Sequence, residues 1–197
     1  MTHVDVKLPE SCEIAFKEWD SVCVALASGR QSLIIRKGGI EEGPGGFTPE
    51  HHVFWLYPTH VHQGQQGIKS GETGSPLLVG NEEFEIPIEY LAAVRLIGRV
   101  EQMEGLEPLD RLHIWTRETV EKRFHYRSPG LWVLGLQVYK LPSAIRLAIT
   151  PEFLGCKSWV PLVQGIATCG LVPVLPEFAS HAAIDAIRAA LISSAVS

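Results

Sequence analysis

Residues 31–36, QSLIIR, form a β-branched apolar run that ends in a cation and leads into Lys37 and a glycine-rich loop. A second apolar run, VFWLY at residues 53–57, leads into PTHVHQ at residues 58–63. Both runs are typical of buried β-strands, and each is followed by polar side chains. Because a strand end is rigid and the loop behind it is exposed, we expect a functional site where these two runs end.

The composition bounds the class of protein. The chain has 197 residues, of which 46% are hydrophobic and 20% are charged, as in ordinary globular proteins. This length predicts a single domain, with a core at about residues 11–165 and a C-terminal helical appendage at about residues 166–197. The net charge of -5 provides no general basic field, so binding to a nucleic acid would require a local patch.

The location of the protein also follows from simple patterns. No apolar run is long enough for a transmembrane helix, and the first residues, MTHVD, do not resemble a signal peptide. The four cysteines are scattered without a C-x-x-C pair, which favours reduced thiols over a zinc site. We therefore expect a cytoplasmic protein with no membrane partner.

Further elements follow from periodicity. Apolar stripes predict helices at about residues 16–26, at residues 117–124 behind the N-cap residue Thr116, and near residues 183–191. Apolar runs at residues 31–36, 53–57, 90–100 and 131–141 predict strands that share one sheet. Because helices and strands do not alternate strictly, the pattern favours an α+β fold. We expect a small, mostly antiparallel β-barrel with peripheral helices.

Basic residues at the strand end are the first candidates for binding. Arg36 and Lys37, followed by Gly38 and Gly39, offer two cations and free backbone N–H groups to a phosphate. Lys157 and the aromatic Trp159 recur in a similar loop context. The alternative is a solvated basic strand end that pairs with Glu41 and Glu42.

Histidines behind the second strand are the candidate metal ligands. His60 and His62 would lie on the same side of an extended segment, with His51, His52 and Glu50 upstream. The alternative is that these imidazoles bond backbone groups at a strand end. A PD-(D/E)xK nuclease would need an acid two residues before Lys37, where this chain has Ile35. No P-loop, Rossmann or G-x-S-x-G motif appears, and the sequence calls for no cofactor.

Several motifs together carry a family resemblance: residues 17–19 (KEW), 33–40 (LIIRKGGI), 54–63 (FWLYPTHVHQ), 114–116 (IWT), 138–142 (VYKLP) and 155–162 (GCKSWVPL). Over about residues 14–163, this ordered set resembles the bacterial family called domain of unknown function 1802. The family name carries no established activity, so this resemblance implies a domain and not a reaction.

A second resemblance rests on pattern. Residues 25–36 (ALASGRQSLIIR) are similar to the opening of ASCH domains, and residues 131–147 with 157–162 (KSWVPL) resemble the second half of EVE domains. Both are PUA-like barrels, which implies binding of RNA or modified bases in a cleft beside the sheet. The ASCH motif has a charged pair after its Gly-Arg-Lys, where this chain has Gly29-Arg30-Gln31, so no catalytic role is transferred.

These observations lead to one functional hypothesis and two alternatives. The hypothesis is a PUA-like module that binds a nucleotide, or a modified base of RNA or DNA, in an aromatic pocket with a basic rim. Trp115 and Trp159 would stack on bases, and Arg36, Lys37 and Lys157 would hold phosphate. Gln63 and Ser158 would read polar edges of the base. The alternatives are a small hydrolase or metal-dependent nuclease that uses His60 and His62, and a protein-interaction domain.

Overall fold

A computed structural model describes residues 1–37, 51–60, 67–72, 74–78, 85–153 and 158–193. Within these ranges, the strands are β1 (Thr2–His3), β2 (Ser11–Trp19), β3 (Leu33–Arg36), β4 (Val53–Thr59), β5 (Glu85–Val100), β6 (Leu131–Ala148), β7 (Trp159–Ala167) and β8 (Val172–Pro173). The α-helices are α1 (Asp20–Ala27), α2 (Arg117–His125) and α3 (Glu177–Ser193). Short 3-10 helices span Met103–Leu112 and Pro151–Phe153.

All of these strands belong to one sheet. Its order is β3-β6-β5-β4-β2-β7, with β1 added beside β5 and β8 beside β6. The long strands β5 and β6 pair in antiparallel fashion from Glu85 opposite Ala148 to Val100 opposite Leu131. Strands β2 and β4 run parallel, from Ala15 opposite Trp55 to Trp19 opposite Thr59. The carboxyl ends of β2 and β4 therefore lie at the same edge of the sheet.

The four predicted apolar runs do share one sheet, and the mixed α+β class is confirmed. The prediction of a closed barrel is wrong, because the sheet remains open between β3 and β7 at the two ends of the strand order. Strand β3 has four residues, and all four pair with β6. Mostly antiparallel pairing holds, but the β2–β4 pair is parallel because α1 and β3 intervene along the chain.

The first predicted helix is partly wrong. Phe16 and Trp19 belong to β2, and the helix begins at Asp20. The spacing of three between these aromatic residues resembles a helical stripe, but both neighbours of β2 supply ladder partners that outweigh local periodicity. The other two helices are confirmed as α2 and α3. Thr116 caps α2 as predicted, because its Oγ1 accepts a hydrogen bond from the Thr119 N–H at 3.4 Å.

The core lies on both faces of the sheet, as the alternation in β4 demonstrates. Phe54 and Leu56 enter one hydrophobic cluster, whereas Trp55 and Tyr57 enter the other. Helix α3 adds buried side chains to the first cluster, so its inner face packs against the same core as the strands. Each fully buried Leu or Phe stabilises the fold by about 1.5–3 kcal/mol. No helix within the described ranges has the length and apolar content required to span a membrane.

Candidate functional site

Polar and aromatic side chains meet where the two ends of the strand order approach each other. Arg36, the last residue of β3, donates from Nη2 to Oγ of Ser158 at 2.5 Å. Ser158 directly precedes β7, and its carbonyl accepts the Lys17 N–H of β2 at 2.8 Å. We call the group formed by Glu18, Arg36, Arg123, Ser158 and Trp159 the seam site.

Glu18 is the acidic member of the seam site. Its side chain is 3% exposed, and Oε1 accepts the backbone N–H of Trp19 at 3.0 Å. Oε2 is buried and has no hydrogen-bond partner among the described residues. Among the described residues, Arg36 forms an ion pair with Glu18, with Nη1 at 3.8 Å from Oε2. The carboxylate is therefore held in place but incompletely paired.

Arg123 on α2 is the second cation of the seam site. Its guanidinium lies 4.1 Å from the ring centre of Trp19 and 4.7 Å from that of Trp115. Burial lowers the pKa of Arg123 to about 10, Glu18 opposes this change, and Arg36 adds to it. At pH 7 Arg123 still carries its charge. Cation–π contacts of this kind are worth up to about 2 kcal/mol when desolvated.

The electrostatic balance of the site is positive. Burial also lowers the pKa of Arg36, and the Glu18 carboxylate partly offsets this effect. Two guanidinium groups thus share the field of one carboxylate, which leaves an excess of one positive charge within the described part of the site. The Arg36 side chain is 27% exposed, so one of the two cations can be reached from solvent. Such an arrangement is suited to an anion.

Trp159 supplies the aromatic surface beside Arg36. It is partly buried and makes edge contacts with Phe16, Phe54 and His51, at centroid distances of 4.6, 5.2 and 5.2 Å. Phe16 in turn lies beneath the Arg36 guanidinium, 4.5 Å from ring centre to Cζ. Three neighbouring rings at steep interplanar angles therefore fix the orientation of the tryptophan.

Trp115 does not form the stacking surface for a base that the sequence predicts. It is fully buried, its ring is covered by Arg123, and its Nε1 has no hydrogen-bond partner in the described part of the chain. An isolated bridge joins it to Ile68. Trp115 therefore supports Arg123 from below and presents no face to a base.

Lys37 also lies in a different environment from the phosphate-binding one that the sequence predicts. Its Nζ donates to the carbonyl oxygens of Phe124 at 2.6 Å and Gly130 at 2.9 Å, and to that of Ser128. An ammonium has three N–H donors, so these three carbonyls use its full capacity. In this geometry, Lys37 fastens the end of α2 to β3.

Of the remaining residues predicted to bind a ligand or a metal, some lie within the described ranges and others do not. Gln63, Lys157 and His62 lie outside the described residues. His60 follows β4, and its Nε2 lies 3.7 Å from Oδ2 of the buried Asp20. Oδ1 of Asp20 accepts the N–H groups of Leu77 and Leu78 at 3.0 and 3.1 Å. Across the described ranges, no three His, Cys, Asp or Glu side chains are placed to hold a metal ion together.

Sequence reasoning missed Arg123 and the inward position of Glu18. A basic residue in the last turn of a helix usually serves the helix dipole, so Arg123 carried no distinguishing signal. The signal for Glu18 was present, because it shares strand parity with the buried residues Cys12 and Phe16. It was hidden by the expectation of a helix in this segment.

Fold and site together define an α+β domain with a curled, open sheet and a charged, aromatic seam between its edge strands. The chain belongs to the family described as Domain of unknown function (DUF1802), whose family model matches residues 15–183. No curated protein matches the chain significantly.

Solved structures of an ASCH protein from Zymomonas mobilis are similar to this chain. A mutant form aligns with 12% identity and a TM-score of 0.42, over 90% of this chain and 98% of that one. The unmutated form aligns with 11% identity and a TM-score of 0.42, over 87% and 93%.

Proposed function

We propose that the seam site binds a nucleotide, or a modified base extruded from RNA or DNA. The observation that carries this proposal is the placement of Arg36 between the buried carboxylate of Glu18 and the Ser158–Trp159 pair. Arg36 would hold a phosphate, and Trp159 would provide the surface on which a base stacks. Ser158 would accept or donate at the polar edge of the base, and the buried Glu18 carboxylate would hold Arg36 in place from behind.

Charge supports a local contact with phosphate. The whole chain carries -5, so no general attraction to a phosphate backbone exists. The positive excess of the seam site is local, and a guanidinium can bind phosphate oxygens in a bidentate manner. A ligand of one or a few nucleotides fits this distribution better than a long duplex, which needs an extended basic surface.

The aromatic side chain of Trp159 favours a base as the second part of the ligand, beside the phosphate. Stacking of a base on an aromatic side chain contributes about 1–3 kcal/mol and tolerates any base, because every base has a π-face. Trp159 adjoins Ser158 and is held by Phe16 and Phe54. Selectivity would then come from the hydrogen-bonding hydroxyl group of Ser158.

A binding screen against nucleosides, nucleotides and short single-stranded oligonucleotides at low salt tests this proposal directly. Arg36→Gln should weaken binding of the phosphorylated ligands and reduce the salt slope by about 0.7 for one lost contact with a single strand. Arg188→Gln is the matched control, since Arg188 lies on α3 and pairs with Asp185. If no ligand in the panel binds, or if both variants behave alike, the proposal fails.

The Asp20–His60 pair favours a second candidate, a hydrolase. A buried carboxylate fixed by two backbone N–H groups can orient a neighbouring imidazole for proton transfer. His60 is 44% exposed and lies at the same edge of the sheet as Glu18. Hydrolysis of an oligonucleotide or nucleotide that is lost in His60→Ala would support this candidate. Sensitivity to a chelator would further assign the chemistry to a metal.

A further inference from the structure

A groove that shares no lining residue with the seam site lies between α3 and the part of the sheet formed by β1, β5 and β6. Its volume is about 540 Å³, within the usual range of about 300–1,000 Å³ for ligand pockets. The sheet side carries Arg95 of β5 together with Gln137 and Tyr139 of β6. The lining of α3 extends from Glu177 to Arg188, about 16 Å along the helix axis at ~1.5 Å per residue.

Arg95 is a half-buried cation without a carboxylate partner. Its Nε donates to Oε1 of Gln137 at 3.0 Å, Nη1 donates to the carbonyl of Val6 at 2.7 Å, and Nη2 donates to Oη of Tyr139 at 3.3 Å. No Asp or Glu among the described residues forms an ion pair with it. A guanidinium has five N–H donors, so two remain after these three bonds. A cation that is partly removed from water favours an anion beside it, and this groove provides none of its own within the described ranges.

Gln137 and Tyr139 add further donors to the groove. Because Oε1 of Gln137 accepts from Arg95, the orientation of this amide is fixed and Nε2 keeps its two N–H groups. Because Oη of Tyr139 accepts from Arg95, its own proton can be donated elsewhere. Neither group donates to another described residue. Spare donors on three neighbouring side chains suit a carboxylate, which only accepts hydrogen bonds.

The charges opposite Arg95 indicate a second feature of the ligand. The other ionisable residues that line the groove are His3, Asp5, Glu177, His181, Asp185 and Arg188. Asp185 is already paired with Arg188 at 2.6 Å, whereas Asp5 and Glu177 form no ion pair among the described residues. With both histidines neutral, Arg95 is thus the single unpaired cation of the described lining, against two unpaired carboxylates. A ligand with only a carboxylate would be repelled by those two acids, and a ligand that also carries an ammonium would be attracted by them.

We propose that this groove binds a short peptide by its two free termini. The terminal carboxylate would accept hydrogen bonds from Arg95, Gln137 and Tyr139, and the terminal ammonium would lie towards Asp5 and Glu177. An extended tripeptide spans about 10 Å, which the groove accommodates along α3. Only Val4 and Ile184 give the groove apolar side chains, so its polar walls suit peptide groups better than an apolar ligand. This site is independent of the seam site and of the nucleotide proposed there.

Three peptides of matched size test the proposal by calorimetry at low salt. Triglycine has both charged termini, triglycinamide lacks the carboxylate, and N-acetyltriglycine lacks the ammonium. We expect triglycine to bind with one site per chain and at least tenfold more tightly than either of the others. No saturable binding of triglycine at millimolar concentration, or equal affinity for triglycine and either blocked peptide, would overturn the proposal.

Two variants locate the binding. Arg95→Gln should weaken triglycine at least tenfold and leave triglycinamide unchanged, whereas Glu177→Gln should weaken triglycine and leave N-acetyltriglycine unchanged. Arg99→Gln is the control for the cation, because Arg99 lies on the same strand, is exposed and does not line the groove. An equal loss in Arg95→Gln and Arg99→Gln, or unchanged triglycine affinity in folded Arg95→Gln, contradicts the assignment.

Arg95→Gln also removes hydrogen bonds that hold the N-terminal segment, so a milder variant guards against a failure to fold. Tyr139→Phe removes one hydroxyl donor and keeps the ring. We expect it to weaken triglycine and N-acetyltriglycine by the same factor, because both peptides carry the carboxylate. Should Arg95→Gln not fold, triglycine affinity in Tyr139→Phe equal to that of wild type would contradict the proposal instead.

Discussion

Arg36 and Ser158 are joined by a hydrogen bond of 2.5 Å, although they lie at opposite ends of the strand order. Arg36 ends β3, the first strand of that order, and Ser158 precedes β7, the last. The sheet thus curls until its two edge strands meet, and side chains join them where the described residues form no backbone ladder. The space that a closed barrel would fill with ladder hydrogen bonds is here lined by charged and aromatic groups.

Loss of this bond should weaken the closure of the sheet. Ser158→Ala removes the acceptor for Nη2 of Arg36, and hydrogen bonds to charged groups contribute about 1.5–3 kcal/mol. Because the Arg36 side chain is 27% exposed, we expect the lower end of this range, about 1.5 kcal/mol. Urea unfolding measures the free energy, with Ser143→Ala on the exposed part of β6 as control. Equal stability of the two variants would show that the bond does not hold the seam together.

Removal of the Glu18 charge should convert the seam site into a stronger anion site. In Glu18→Gln, Arg36 and Arg123 lose their shared counter-charge, so thermal stability should fall in sodium chloride. Sulfate at equal ionic strength should restore it, because an anion that binds the native state stabilises that state. Sulfate also stabilises proteins generally by exclusion from their surface, so the relevant quantity is the additional rise in Tm over wild type. Glu118→Gln is the control, because Glu118 is exposed, and it should show no such additional rise in Tm. If Glu18→Gln shows no additional rise either, the two arginines are not coupled through the carboxylate.

Strands β3, β4, β5 and β6 and one contact of the seam site could be predicted from sequence, for a definite reason. β3, β4 and β6 are dense in apolar and β-branched residues, and their burial on both faces of the sheet leaves little freedom of assignment. Arg36 ends such a strand, whereas Ser158 precedes β7, which was not among the predicted strands. Their convergence was expected because both were candidates for one binding pocket. Glu18 was missed because residues 16–26 fit a helical stripe nearly as well as a strand followed by a helix.

Side-chain partners could not be predicted in this way. Lys37 and Arg36 are neighbours in sequence, yet they leave the end of β3 in different directions, as a strand requires. Trp115 and Trp159 are equally aromatic, but one is sealed under Arg123 and the other is partly exposed. These differences depend on the packing of α2 against the sheet, which local composition does not encode.

Acid should destabilise the protein through His113. Burial lowers the pKa of this residue to about 4 in the folded protein, against 6.5 for an unperturbed histidine. Between these values the unfolded chain binds the proton and the folded protein does not, so stability falls as the pH is lowered from 6.5 to 4. One group can account for up to about 3 kcal/mol over this window. The loss of stability between pH 6.5 and pH 4 should be smaller in His113→Asn than in wild type. It should be unchanged in the control His125→Asn, because His125 is exposed. Identical pH profiles in wild type and His113→Asn would exclude His113 as the cause.

Lys37 should prove structural when it is replaced. Lys37→Met removes three hydrogen bonds to the carbonyls of Phe124, Ser128 and Gly130, which close the end of α2. Because the lysine is partly exposed, we expect a loss of about 1–3 kcal/mol in total, measured by urea unfolding. The salt dependence of ligand binding should stay as in wild type. A reduced salt slope with unchanged stability would instead assign Lys37 to a phosphate, as the sequence led us to expect.

The aromatic half of the proposed ligand depends on Trp159. Trp159→Ala should weaken the binding of a nucleotide or base by the ~1–3 kcal/mol of one lost stack, which corresponds to about a 5- to 150-fold rise in Kd. Because stacking involves no counterion, this loss should be the same at low and high salt, whereas the loss in Arg36→Gln should shrink as salt increases. Tyr126→Ala serves as the matched aromatic control, since Tyr126 is 58% exposed and lies outside the seam site. Fluorescence anisotropy with a labelled oligonucleotide gives the Kd of wild type and of each variant at each salt concentration. An equal loss in Trp159→Ala and Tyr126→Ala, or a loss in Trp159→Ala that follows the salt concentration, would show that Trp159 does not stack on the ligand.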